Sequence, residues 1–140
     1  MVQTAHPRLA RVTKLSLGVE ILAAYARVRW LLWRGDLTTT LKRLRAEGGS
    51  AASRTPRHDD LGGLRLGNAV GRTLRVLPTD SRCLMRSLVL SSLLARRQID
   101  SSLVIGVRSD PSFAAHAWVE QDGEALLPAG DEHYLRLVEL

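Results

Sequence analysis

The chain has a single cysteine, Cys83, in 140 residues. One cysteine excludes an internal disulfide and any zinc site built from several cysteines. It fits a reducing compartment, and with no signal peptide at the start the expected setting is cytoplasmic. Aromatic residues are scarce at 4%, so Leu, Val and Ala must fill most of the core. No long apolar run is present: the stretch from Ile21 to Trp33 is broken by Arg27 and Arg29, and is too short and too charged to span a bilayer. Lysine is nearly missing, with Lys14 and Lys42 the only two among 20 basic residues.

What is present suits one domain. Hydrophobic residues make up 45% of the chain, enough for a core at this length. The net charge is +6, unevenly spread: +6 in residues 1–60, +6 in 61–109 and −6 in 110–140. Arginine suits bidentate contact with carboxylate or phosphate. Nucleic acid is one reading of that charge, an acidic peptide or partner protein is another, and a compositional bias of the genome is a third.

Periodicity divides the chain into helices followed by strands. Residues 1–12 read as a loose tail. Leu15, Val19, Leu22, Ala23, Ala26, Trp30 and Trp33 recur at helical spacing, with Thr13 or Ser16 as a cap and Gly35-Asp36 as the stop. Tyr25, Trp30 and Trp33 are expected in the core, with a partner-docking surface as the alternative. Leu37 to Ala46 reads as a short second helix, and residues 47–60 as a linker without periodicity. Leu64, Ala69, Val70, Leu74 and Leu77 mark a third helix stopped before Pro78. A fourth begins after Asp80 or Ser81 and ends at Arg96 and Arg97. The period then becomes two. "SSLVIGVR" reads as a strand, "FAAHAWVE" as a second, Asp122-Gly123 as a two-residue hairpin and "EALLP" as its return. "DEHYLRLVEL" closes the chain as a short strand or helical turn. Helices first and an antiparallel sheet after is an α+β architecture.

Cys83 falls in the first turn of the fourth helix. The positive end of the helix dipole and the flanking Arg82 and Arg86 favour a thiolate there. A thiolate nucleophile needs a base or ion-pair partner, usually histidine. Of the four histidines, His6 is in the tail, His58 in the linker and His133 near the end; only His116 is in an expected strand that could face a helix N-terminus. A lone cysteine in a helix is more often a small buried hydrophobe, and a strand histidine beside Trp118 more often a packed one. Spacing alone does not decide between these.

The wording around the two residues adds to this. "CLMRSLVLSSLLARR", then "LVIGVR", then "FAAHAWVE" resembles the leader peptidases of lasso-peptide biosynthesis, which are transglutaminase-like cysteine proteases. The resemblance covers about residues 62–140, and the length is similar to the stand-alone protease form. It implies a papain/transglutaminase-like fold with the nucleophile Cys83 at a helix N-terminus and His116 as its partner. Residues 61–140 would form the protease core, and residues 1–60 a helical region with a linker that docks a partner. The implied activity is removal of a leader peptide from a precursor, with no metal or organic cofactor. The implied partners are the precursor leader and a small leader-recognition protein. A macrolactam cyclase is a further candidate; membrane contact is compatible but not required.

The third triad member is where the chain departs from that family, which usually carries an aspartate twelve residues after the histidine. Pro128 stands there and cannot orient an imidazole. If Asp122-Gly123 is the loop, Gln121 opposes Glu124, Ala129 opposes His116, and Asp131 is a diagonal neighbour on the same face. Asp131 is therefore the candidate orienter; a backbone carbonyl or a simple dyad are the alternatives. Trp118 either shields the site or fills the core. A non-catalytic scaffold on the same fold is the competing function. A nucleic-acid-binding domain ranks last, because no aromatic-basic recognition motif accompanies the charge.

Overall fold

The computed structural model describes residues 7–52, 62–77, 82–127 and 134–140. Its elements are α1 (Pro7–Arg34), α2 (Leu37–Ala52), α3 (Gly63–Leu74), α4 (Arg82–Arg96), β1 (Ser102–Arg108), β2 (Ala114–Gln121), β3 (Glu124–Ala125) and β4 (Leu135–Glu139). Among the described residues, four helices precede a four-stranded antiparallel sheet of order β3-β2-β1-β4, the expected α+β arrangement. The closing segment is a strand, not a helical turn, and it pairs with β1.

α4 is the central element. It packs against α1, α2, α3, β1 and β2. Residues 87–94 are all buried, so the helix is covered on every side of its middle turns. Leu88, Val89, Leu90, Leu93 and Leu94 supply the apolar volume. Ser87, Ser91 and Ser92 are buried between them, small enough to let neighbouring elements approach. The helix ends in a left-handed residue, Gln98, at φ 57°. The Ile99 amide donates to the Leu94 carbonyl at 3.0 Å and the Gln98 amide to Ala95 at 3.1 Å. This is a Schellman cap with glutamine where glycine is usual. Beside it, Arg97 pairs with Glu20 of α1 at 3.1 Å, with side chains 4% and 10% exposed.

Three expectations about the helices need correction. α1 starts at Pro7, so Thr13 and Ser16 lie inside it and cap nothing. Proline is well tolerated at a first helical position. α2 runs on to Ala52, through the first six residues of the expected linker. The Arg27–Glu47 ion pair, at 2.6 Å, ties that extension to α1; residues 53–61 lie outside the described residues. The third correction concerns the face of α1. Its buried stripe is Ile21, Ala24, Val28 and Leu31, whereas Leu15, Val19, Leu22, Trp30 and Trp33 are exposed, Trp33 at 81%. Tyr25 is half-buried. Arg27 and Arg34 stack over the Trp30 ring at 4.8 and 4.4 Å. Both stripes are apolar, so helical period alone could not choose between them.

The break between α1 and α2 follows the expected signal. Asp36 caps α2, its carboxylate accepting from the Thr39 amide at 3.3 Å. That hydroxyl-and-amide contact to Thr39 holds the Asp36 carboxyl below its ordinary value. The hairpin is also as read: Gln121 pairs with Glu124 across Asp122 (φ 52°) and Gly123 (φ 80°). β3 lasts only two residues, after which Leu126 and Leu127 turn inward and become buried. Gly67 of α3 lies so close to this segment that a Cβ there would sit 2.2 Å from the Leu126 carbonyl oxygen.

Replacing Gln98 by glycine removes the left-handed strain at the α4 cap without touching a core contact. Chemical denaturation is expected to show a gain of about 1 kcal/mol; an unchanged or lowered midpoint would contradict the cap geometry.

Candidate active site

Cys83 is the second residue of α4 and carries a free thiol, half-buried against the core. Its carbonyl accepts a hydrogen bond from Ser87 Oγ at 2.8 Å, one turn along. Its own amide belongs to the first helical turn, where amide groups have no intrahelical acceptor. The first turn contains no acidic residue that would offset the helix dipole.

His116 lies in the middle of β2, half-buried, and pairs with Gly106 of β1. α4 packs against β2, so the cysteine-bearing helix and the histidine-bearing strand are direct neighbours. His6, His58 and His133 lie outside the described residues, as do Asp131, Pro128 and Ala129. The proposed Ala129–His116 pairing and the Asp131 contact therefore lie outside them too.

The structure sets His116 against Trp118, which the sequence singled out, and against Tyr134, which it did not. Its ring stacks on Trp118 at 5.9 Å between centroids, 24° from parallel, and meets Tyr134 at 5.4 Å and 39°. Tyr134 immediately precedes β4, on the far side of β1. The two rings reach across because Gly106 has no side chain. A Cβ on Gly106 would lie 2.9 Å from two Trp118 ring carbons and 3.0 Å from Tyr134 Cβ. Arg108 caps the row, 5.3 Å above the Tyr134 ring.

Trp118 is 4% exposed, so it is a buried support beneath the histidine and not an open wall. Its indole Nε1 donates to Glu120 Oε1 at 2.9 Å, which satisfies the one polar atom it buries. Glu120 is in turn held by the guanidinium of Arg136 on β4. That hydrogen bond, with a smaller contribution from Trp118, keeps the Glu120 carboxyl below its ordinary value of 4.5, against the opposing effect of burial. The row from Arg108 to Arg136 crosses three strands. Only tertiary pairing assembles it; the one cue in the sequence was the alternation that put His116, Trp118 and Glu120 on one face.

Against this geometry, the family profile described as Transglutaminase-like superfamily matches residues 21–139, nearly the whole chain. The chain belongs to the transglutaminase-like superfamily. That superfamily includes cysteine proteases, and its match begins within α1, so it takes in the helical region as well as the sheet. Among curated proteins, a 46-residue stretch is 48% identical to the Microcin J25-processing protein McjB of Escherichia coli. The stretch covers 33% of this chain and 22% of that protein, so the match spans about a fifth of the relative's length. No solved structure matches significantly. Among the described residues no cluster of three or more His, Cys, Asp or Glu could hold a metal ion. No described helix is long and apolar enough to cross a membrane.

Two measurements test the support of His116. Gly106→Ala forces the Trp118 and Tyr134 rings apart, and is expected to shift the His116 ring resonances and the tryptophan emission while circular dichroism keeps the native helix content. Unmoved histidine resonances would remove the wedge. For the Glu120–Arg136 pair the folded carboxyl titrates below its unfolded value. Its stabilisation is complete above about pH 4.5 and is lost as pH falls through the lower folded value. Arg136→Gln should therefore lower stability near neutrality, and flatten the loss that wild type shows below pH 4.5.

Proposed function

We propose that this protein is a cysteine peptidase that removes the leader from a ribosomally made lasso-peptide precursor. One observation carries the reading: in a chain of the transglutaminase-like superfamily, the only cysteine lies in the first turn of the central helix, and that helix packs on the strand bearing His116. The local identity to a microcin-processing protein supports the substrate class.

In this mechanism the Cys83 thiolate attacks the scissile carbonyl. The Cys83 amide, unused by the helix, donates to the oxyanion. Protonated His116 gives its proton to the leaving amine, and an acyl-thioenzyme remains. Water, deprotonated by His116, then attacks the thioester and releases the free acid. Trp118 and Tyr134 hold the imidazole plane throughout. Asp131 is proposed as the orienting group. The peptidase works with a separate leader-recognition protein and ahead of a macrolactam cyclase. The exposed apolar stripe on α1, ending in Trp33, offers such a protein a surface to dock on. No metal or organic cofactor takes part.

The test is cleavage of a precursor followed by mass spectrometry, with the recognition protein supplied. Wild type releases the leader. Cys83→Ala and His116→Ala lose the activity by on the order of a thousand-fold or more, and Asp131→Asn lowers it less. Equal cleavage by Cys83→Ala would overturn the reading. Pro128, at the position where an aspartate is usual, favours a scaffold subunit as the second reading; that reading predicts no cleavage by wild type and a thiol that iodoacetamide leaves unmodified.

A further inference from the structure

We propose that Asn68, Arg72, Arg75 and Arg86 form a subsite for the carboxylate side chains of an acidic peptide segment. These residues line a cleft of about 170 Å³ between α3 and α4. Arg72 on α3 and Arg75 at its C-cap are exposed, and Arg86 reaches in from α4, half-buried. No carboxylate lines the cleft among the described residues. The buried Nε of Arg86 has no hydrogen-bond partner there. Buried donors are normally satisfied, so this guanidinium is poised for an acceptor that the described residues do not supply.

The shape of the cleft selects the ligand. Leu126 and Leu127, apolar and buried behind the hairpin, line it beside the arginines. Gly71 lines it as well, and a Cβ there would meet nothing within 4 Å, so the space beside the arginines is open. An apolar lining together with cationic groups suits a side chain with a short aliphatic stem and an anionic head, which is Asp or Glu. Asn68 and Arg72 also line a larger cleft of about 540 Å³ between α1 and α3. That cleft repeats the pattern, with Lys14 and Arg65 beside Leu17, Ile21 and Ala69. The two together make a track for an extended chain of mixed acidic and apolar residues. A phosphodiester backbone gains nothing from the leucine wall.

The position of Arg86 gives the subsite its use. It follows Cys83 by three residues on α4, and residues at that spacing share a helix face. A carboxylate held by Arg86 places its peptide beside the first turn, where the thiol is. That this peptide is the substrate's own flank rests on the peptidase reading; the binding itself does not.

The probe is fluorescein-labelled hexaglutamate, followed by anisotropy at low ionic strength, beside a hexaglutamine control. Wild type should bind the acidic peptide and not the control. Arg72→Gln and Arg86→Gln should each weaken binding by about five-fold or more, while Lys42→Gln on α2 leaves it unchanged. Arg72 is exposed, so its variant keeps the test valid even if Arg86→Gln lowers the melting temperature. Cys83→Ala should bind as wild type does, which separates this subsite from the fate of the peptidase reading. Equal weakening by Lys42→Gln would reduce the effect to overall charge and overturn the proposal. So would a short single-stranded DNA that binds more tightly than hexaglutamate and responds to the same two arginine substitutions.

Discussion

The rest of the molecule depends on the burial of α4. A helix covered on all sides of its middle turns has no freedom to slide or rotate, because any shift would push Leu88 or Leu93 into a neighbour or open a void. Three helices and the sheet close around it, and the buried Arg97–Glu20 pair ties its far end to α1. Its near end carries Cys83. The thiol is therefore presented by the most constrained element of the fold, while its carbonyl is held by Ser87 from the next turn. A nucleophile needs that kind of fixed mounting, since small displacements of a reacting atom are costly in rate.

The histidine is mounted by a different device. A strand fixes the direction of a side chain but leaves an exposed imidazole free to rotate. Here the rotation is limited by rings on two sides. Gly106 is the element that permits it: a bare position in the central strand lets Trp118 from one side and Tyr134 from the other converge on His116. Trp118 is anchored by Glu120, and Glu120 by Arg136. The sheet thus supplies both the strand that carries the imidazole and the polar chain that steadies it.

The functional reading and the charge pattern meet at α3 and α4. The arginines of residues 61–109 are not spread as a uniform coat. Several gather at two clefts along α3, one of them shared with the helix that carries Cys83. A small basic protein with that arrangement is suited to an acidic peptide, whose charge brings it to the cleft and whose apolar residues find the Leu126–Leu127 wall.

Sequence alone was enough for the α+β order, the Asp122-Gly123 hairpin and the Asp36 break, and it nominated Cys83 and His116 as candidates. Each rests on local information: a period, a turn dipeptide, a capping side chain or a motif. It failed on α1, where two apolar stripes compete and only packing against the other helices selects Ile21, Ala24, Val28 and Leu31 for burial. It failed also on the neighbours of His116, because Gly106, Tyr134 and Arg136 come from strands whose register no local pattern encodes. Tertiary structure alone decided the aromatic support of the imidazole and the cationic cleft between α3 and α4. The reason is the same in both cases: residues far apart in the chain become neighbours only when strand pairing and helix packing have been chosen together.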